Sequence, residues 1–127
     1  MRILHTMLRC TNLQASLDFY RNVLKMKELR REEFPDGKFT LVYLGYGDEA
    51  SVSVLELTCN WNVSRYEKGA GYGHIAIGAH NIKDICHEAS QLGYNVVRPA
   101  GPMQMNPSLI IAFIADPDGY LVELIEE

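Results

Sequence analysis

The sequence predicts an α+β protein made of two βαβββ modules, and internal repetition is the main observation behind this prediction. A chain of 127 residues with 47% hydrophobic and 22% charged residues has the size and composition of one globular domain. Residues 5–12 begin with a histidine and end with an asparagine, and residues 74–81 do the same. We therefore expect a single domain over residues 1–127, with internal repeats at about 1–60 and 71–127.

Each repeat opens with an alternating strand and continues into an amphipathic helix. Asn12 and Asn81, or its neighbour His80, stand where a helix N-cap is expected. Gly93 follows the second helix as a C-terminal cap. Lys25 holds that place in the first repeat, where a left-handed conformation would cost about 1 kcal/mol. The residues that share a helical face are Leu13, Leu17, Tyr20 and Leu24 in the first repeat, and Ile82, Ile85, Cys86, Ala89 and Leu92 in the second.

Three further strands complete each repeat, and a tight turn joins the last two. Glycine, proline and aspartate mark these turns, at residues 45–48 and 116–119. The expected strands are 26–30, 39–44 and 54–57 in the first repeat, and 94–98, 109–114 and 121–124 in the second.

Two histidines and two glutamates occupy equivalent positions in the repeats: His5 matches His74, and Glu56 matches Glu123. A lone glutamate among apolar strand residues is costly to bury unless a positive partner lies opposite it. If each repeat forms one curved sheet, its first and last strands present one histidine and one glutamate inward. Two imidazoles and two carboxylates suit a divalent first-row metal, so the sequence predicts a metal site at these four residues.

The composition argues against several classes of partner and compartment. The net charge is −4 and no basic run exceeds Arg30-Arg31, which argues against nucleic acid and anionic membranes as partners. No apolar stretch approaches the roughly 20 residues that span a bilayer. The N-terminal segment is interrupted by His5 and Arg9 and does not have the pattern of a signal peptide. Three scattered cysteines, expected to be buried thiols, fit a reducing cytoplasm.

Four segments carry a more specific signal: MRILHTMLRCTNLQASLDFY, LGYGDEASVSVLELTCNW, YGHIAIG and DPDGYLVELIEE. Occurring together and in this order, they resemble the short bacterial form of glyoxalase I, or lactoylglutathione lyase, in the vicinal-oxygen-chelate superfamily. The resemblance covers about residues 1–126.

This resemblance implies a cytoplasmic homodimer in which curved mixed sheets form a barrel-like site between subunits. It implies metal ligands at His5, Glu56, His74 and Glu123, the first two from one subunit and the last two from its partner. Compact members of the family prefer nickel or cobalt to zinc. We therefore expect one nickel or cobalt ion per site, with zinc less favoured.

The activity implied by the resemblance is the isomerisation of the methylglyoxal–glutathione hemithioacetal to S-lactoylglutathione, which detoxifies methylglyoxal. A proton leaves the carbon next to a carbonyl, and an enediolate forms. Glu123 is the expected base and Glu56 the second carboxylate ligand, although their equivalent positions allow the roles to exchange with the substrate face. Arg9 and Asn60 match the glutathione contacts of the family.

The chain departs from the family pattern in the loop expected at residues 101–108. Members of this type often carry a lysine and mobile glycines there, the lysine as a partner for a glutathione carboxylate. Here Gln104 replaces the lysine, and Met105, Asn106 and Pro107 replace the glycines. We expect weaker glutathione binding or a different thiol.

The fold alone leaves other functions open. An epimerase acting on an acyl-CoA would need a basic patch for the nucleotide phosphates, which the sequence lacks. A ring-cleaving dioxygenase would use two histidines and one glutamate with iron, and has no need of a ligand at Glu56. A metal-free drug-binding module typically lacks all four ligands. The alternatives to the lyase are therefore metal-free small-molecule binding and another metal-dependent epimerase.

Overall fold

The computed structural model describes all 127 residues, which divide into two compact units, Met1–Glu67 and Lys68–Glu127. The strands of the first unit are β1 (His5–Arg9), β2 (Lys27–Phe34), β3 (Phe39–Gly45) and β4 (Val54–Asn60). Those of the second are β5 (His74–Ala79), β6 (Val96–Met103), β7 (Asn106–Ala115) and β8 (Leu121–Glu126). The helices are α1 (Leu13–Asp18), which continues as a π-helical turn (Phe19–Val23), and α2 (Ile82–Gln91).

Each unit contains one four-stranded mixed sheet, and the two sheets have the same topology. The strand order is β1-β4-β3-β2 in the first and β5-β8-β7-β6 in the second. The first and last strands of each unit pair in parallel, while the other pairs are antiparallel. The α+β prediction and the βαβββ order are confirmed. Both sheets are open, so a barrel-like enclosure across a dimer stays a prediction.

Apolar side chains from the helices and the central strands form the core of each unit. The π-helical turn buries Phe19, Tyr20 and Val23 completely. Burial alternates along the central strand β8, whereas the central strand β4 is buried at five consecutive residues, Val54–Thr58. The other fully buried apolar residues are Cys10, Leu17, Val42, Leu44 and Leu57 in the first unit, and Ile82, Ala89, Ala112, Ile114, Val122 and Leu124 in the second.

The two α-helices are capped in different ways. The Asn12 side chain accepts a hydrogen bond from the Ala15 amide, as the sequence predicts. Asn81 also precedes its helix, but it is left-handed and its side chain makes no capping bond. The Glu126 carboxylate caps α2 instead, accepting bonds from the amides of Asn81 at 2.6 Å and Ile82 at 2.8 Å. Asn81 therefore stands at the predicted N-cap position, but the capping hydrogen bonds go to Glu126 and not to its own side chain.

The segment expected as a loop at residues 101–108 is a β-hairpin, and this corrects the sequence interpretation. Strand β6 runs to Met103 and β7 begins at Asn106, so only Gln104 and Met105 form the turn. The β6–β7 pairing shifts register at several points, as expected for two strands that contain three prolines, Pro99, Pro102 and Pro107. Pro and Gly in this segment therefore mark irregular pairing and not a loop.

Two further predictions concern single residues and membrane segments. His80, the alternative N-cap candidate, is exposed and contacts the backbone carbonyl of Glu127 through Nδ1. Cys10 and Cys86 are buried thiols, whereas Cys59 is half-buried. No helix of the chain combines the length and apolarity needed to cross a bilayer.

Candidate metal centre

Parallel pairing of β1 with β4 brings His5 and Glu56 together. Glu56 lies opposite Met7 in the register, and His5 lies on the same strand face as Met7. The His5 Nε2 atom is 2.9 Å from Glu56 Oε2. The histidine is exposed, whereas only 10% of the Glu56 side chain is accessible. The first unit therefore places an imidazole nitrogen and a largely buried carboxylate side by side.

The second unit repeats this arrangement. Glu123 lies opposite Ala76 in the parallel ladder of β5 and β8, and His74 lies two residues before Ala76. The His74 Nε2 atom is 3.0 Å from Glu123 Oε2, and 15% of the Glu123 side chain is accessible. Each pair that the sequence repeat predicted is thus assembled within its own unit.

An aromatic ring accompanies each pair, and the sequence reasoning missed both. Tyr43 lies opposite Glu56 in the antiparallel ladder, and its ring meets the His5 ring edge-on at 5.8 Å. Phe113 lies opposite Glu123, and its ring meets the His74 ring edge-on at 5.2 Å. Their equivalent positions in the third strand of each repeat were a signal that could have identified them.

In the first unit a cavity of about 270 Å³ opens beside the histidine. The Arg30 guanidinium lies 3.6 Å from the centre of the Tyr43 ring and donates to Glu49 at 2.6 Å. It also donates to Glu32. Burial raises the pKa of the Tyr43 hydroxyl, and the charge and hydrogen bond of Glu56 raise it further, so this group stays protonated. The cavity is lined by Leu4, His5, Arg30, Tyr43, Glu49 and Val54.

The donor types at these pairs fit a divalent metal, but each unit gathers only two of them. Imidazole nitrogen and carboxylate oxygen are both accepted by first-row divalent ions. Glu56 is also fixed by the Thr58 hydroxyl, which donates to Oε1 at 3.0 Å. No group of three or more His, Cys, Asp or Glu side chains within the single chain is arranged to hold a metal.

The two residues predicted to bind glutathione lie at the ends of the same strands. Arg9 is exposed at the end of β1, paired in register with Thr58. Asn60 is half-buried at the end of β4, and its amide donates to the Tyr66 hydroxyl at 3.0 Å. Both lie in the first unit with His5 and Glu56, whereas Gln104 lies in the hairpin turn of the second unit.

Comparison with known proteins gives a consistent result over the whole chain. Residues 2–124 match the model of the Glyoxalase/Bleomycin resistance protein/Dioxygenase superfamily. The chain is 54% identical over 127 residues to the lactoylglutathione lyase of Neisseria meningitidis, with 100% of the chain and 91% of that protein covered. It is 52% identical over 127 residues to the lactoylglutathione lyase of Escherichia coli O157:H7, covering 93% of that protein.

Solved structures show the same similarity. The chain superposes on glyoxalase I from Zea mays with a TM-score of 0.95 and 36% identity, over 99% of this chain. It spans only 44% of the maize chain. A trypanothione-dependent glyoxalase I from Leishmania major gives a TM-score of 0.89 and 41% identity, with 100% of this chain and 87% of that chain covered.

Proposed function

The chain belongs to the Glyoxalase/Bleomycin resistance protein/Dioxygenase superfamily, and from this premise we propose that it is a lactoylglutathione lyase acting on the methylglyoxal–glutathione hemithioacetal. One observation carries the proposal. Two register-equivalent His–Glu pairs are assembled in a chain that is 52–54% identical along its full length to lactoylglutathione lyases. Its role would be the detoxification of methylglyoxal.

The metal ligands of the proposed enzyme are His5, Glu56, His74 and Glu123. The donor set supports this assignment, because two neutral imidazoles and two carboxylates balance the charge of a divalent ion. Nickel or cobalt is proposed ahead of zinc. When bound, such an ion supplies Lewis acidity that stabilises negative charge developing on two neighbouring substrate oxygens.

Proton transfer is assigned to the carboxylates. Glu123 takes the proton from the carbon next to the carbonyl; the electron pair of the broken C–H bond forms the C=C bond while the π pair of the carbonyl moves to its oxygen, which gives the enediolate. Glu123 then returns the same proton to the neighbouring carbon, and the hydroxyl proton of the hemithioacetal passes to the neighbouring oxygen as the thioester carbonyl forms, so the isomerisation has no net proton change. Glu56 remains in place as a ligand. The Tyr43 and Phe113 rings pack edge-on against their histidines and so orient the imidazoles.

Glutathione binding is assigned to Arg9 and Asn60. The exposed Arg9 guanidinium suits a carboxylate of the tripeptide. The side-chain oxygen Oδ1 of Asn60 suits a hydrogen bond from a peptide amide. The neutral Gln104 supports a weaker contact than the lysine that the family often has. The Leishmania enzyme is described as trypanothione-dependent, which supports testing a second thiol.

The proposed assembly is a cytoplasmic homodimer of single-domain chains with shared sites. Within one chain each unit offers two donors and no group of three or more. A complete set of four ligands would therefore combine His5 and Glu56 of one subunit with the second pair of its partner. An alternative of another class, a metal-free binding module, would have no use for either pair.

The test uses metal-stripped protein refilled separately with nickel, cobalt or zinc and supplied with methylglyoxal and glutathione. Thioester formation is followed by ultraviolet absorbance. Turnover with nickel or cobalt and little with zinc is expected. Strong activity with zinc alone would retain the lyase and overturn the metal assignment. Metal binding without turnover by any ion would exclude the lyase with glutathione, and absence of metal binding would exclude the site.

A further inference from the structure

The two His–Glu pairs differ in the groups that hold the carboxylate. Glu56 accepts a hydrogen bond from the Thr58 hydroxyl at 3.0 Å and lies opposite the Tyr43 hydroxyl. In the second unit Ile125 stands two residues after Glu123, and Phe113 lies opposite it. Neither Ile125 nor Phe113 carries a hydrogen-bond donor on its side chain. The sequence repeat is therefore broken at the two positions that neighbour the carboxylate.

A third difference fixes the aromatic ring in one unit only. Arg30 and Arg98 occupy equivalent positions, each opposite the aromatic residue of its own sheet. The Arg30 guanidinium covers the Tyr43 ring at 3.6 Å. The Arg98 guanidinium instead donates to backbone carbonyls of its hairpin, at 2.7 Å to that of Ile111. Tyr43 is thus held by a cation–π contact that Phe113 lacks.

These differences have opposite consequences for the two carboxylates. A ligand that accepts hydrogen bonds from neighbouring side chains is fixed in orientation, and losing those neighbours typically lowers metal affinity by about 10- to 100-fold. A carboxylate that contacts only its histidine is free to rotate once substrate competes for its place. A base must move between two carbon atoms, whereas a permanent ligand must not move.

We propose that Thr58 and Tyr43 are positioning residues that hold Glu56 as the fixed ligand, and that Ile125 and Phe113 leave Glu123 free to move as the base. This inference rests on the proposed function. It assigns the different roles of two repeat-equivalent carboxylates to four neighbouring residues. It also assigns a role to Arg30, whose guanidinium keeps the Tyr43 ring against His5.

The experiment exchanges these neighbours between the units. One protein carries Thr58→Val and Tyr43→Phe, and the reciprocal protein carries Ile125→Thr and Phe113→Tyr. Nickel affinity is measured on metal-stripped protein by competition with a chelator, which requires no substrate. The kcat and KM of the nickel-loaded proteins are measured separately. Thr58→Ser retains the hydroxyl and is the matched control.

We expect the first exchange to weaken nickel binding by about tenfold or more, and Thr58→Ser to retain the affinity of the parent. The reciprocal exchange is expected to tighten nickel binding and to lower kcat with little change in KM, because the added hydroxyls hold the Glu123 carboxylate in place. A purely structural role would not produce this opposite pair of effects. Unchanged nickel affinity and kcat in the reciprocal protein would overturn the inference.

The affinity measurement separates this inference from the proposed function. If the parent protein isomerises no hemithioacetal while the affinities change as expected, the positioning role stands and the lyase assignment fails. If the parent is active and the affinities of both exchanged proteins equal that of the parent, the lyase stands and the positioning role fails. A protein that binds no nickel overturns both. If the protein with both Thr58→Val and Tyr43→Phe fails to fold, the single variant Thr58→Val and the reciprocal protein test the inference.

Discussion

Lys25 and Gly93 adopt the same left-handed backbone conformation at equivalent positions after the helical segment of each unit. Their φ angles are 57° and 87°. Glycine adopts this conformation freely, whereas the Cβ atom of lysine crowds the neighbouring carbonyl. The Lys25 ammonium donates to the carbonyl of Asn22, which offsets part of this strain. At this position the first unit thus carries a backbone cost that the second unit avoids.

We expect Lys25→Gly to raise the free energy of unfolding by up to about 1 kcal/mol, because it removes the left-handed strain. The matched control is Gly93→Lys, since an added Cβ at Gly93 meets no atom within 4 Å and would add conformational strain alone. Urea denaturation measures both proteins. A destabilised Lys25→Gly protein would show that the lysine contact outweighs the strain.

Replacing each carboxylate by its amide distinguishes base from ligand. We expect Glu123→Gln to lower kcat by about 10²- to 10⁴-fold, the usual contribution of a general base. Glu56→Gln is expected to weaken nickel binding more than it lowers kcat at saturating nickel. Steady-state kinetics and chelator competition measure the two effects. If Glu56→Gln lost the larger factor in kcat, the assigned roles would be reversed.

The hairpin turn between β6 and β7 offers a test of thiol binding. We expect Gln104→Lys to lower the KM for glutathione by up to about fivefold, because an exposed ion pair contributes up to about 1 kcal/mol. Met105→Lys adds the same charge to the neighbouring exposed residue and is the control. Initial rates at varied glutathione measure both. Equal KM values for Gln104→Lys and the parent would count against a missing lysine as the cause of weak binding.

Tyr46 makes the stability of the fold sensitive to alkaline pH. Its ring is exposed, but its hydroxyl is partly buried where it donates to the Leu24 carbonyl at 2.7 Å, and this burial raises the pKa of Tyr46 to about 12. Because the native pKa lies above the ordinary value of 10.0, this contribution to stability is complete below pH 10 and is lost as the pH rises toward 12. We expect Tyr46→Phe to be less stable than the parent at neutral pH but to lose less stability as the pH rises. Urea denaturation across this range measures the difference, and equal slopes would exclude Tyr46 as the cause.

The cap of α2 makes stability sensitive to acid. The Ile82 and Asn81 amides lower the pKa of Glu126 from its ordinary value of 4.5. Because the native pKa is lower than the unfolded one, the contribution is present above pH 4.5 and is lost as the pH falls through the native pKa. We expect Glu126→Gln to flatten this acid dependence, while Glu127→Gln leaves it unchanged. Thermal unfolding at several acidic pH values measures both proteins, and an unchanged dependence in Glu126→Gln would contradict the capping role.

The repeat in the sequence predicted most of the fold and the His–Glu pairs, since buried strands and equivalent residues leave a periodic signal. It underestimated β2, which extends to Phe34 through the charged run Arg30–Glu33. The end of this strand is exposed on both faces, so no apolar alternation marks it. The sequence around Tyr43 is that of an ordinary core aromatic, and only the folded structure shows its contact with His5. The Glu126 cap depends on a residue distant in sequence, and no local pattern encodes it.

The distant cap of α2 also has a consequence for how the chain folds. Asn12 lies three residues before the amide that it caps, whereas Glu126 lies 44 residues after the Ile82 amide. Bringing distant residues together costs chain entropy before the contact stabilises anything. The first helix therefore gains its cap while the growing chain is short. The second helix can gain its cap only once Glu126 has been synthesised, so the two caps become available at different stages of synthesis.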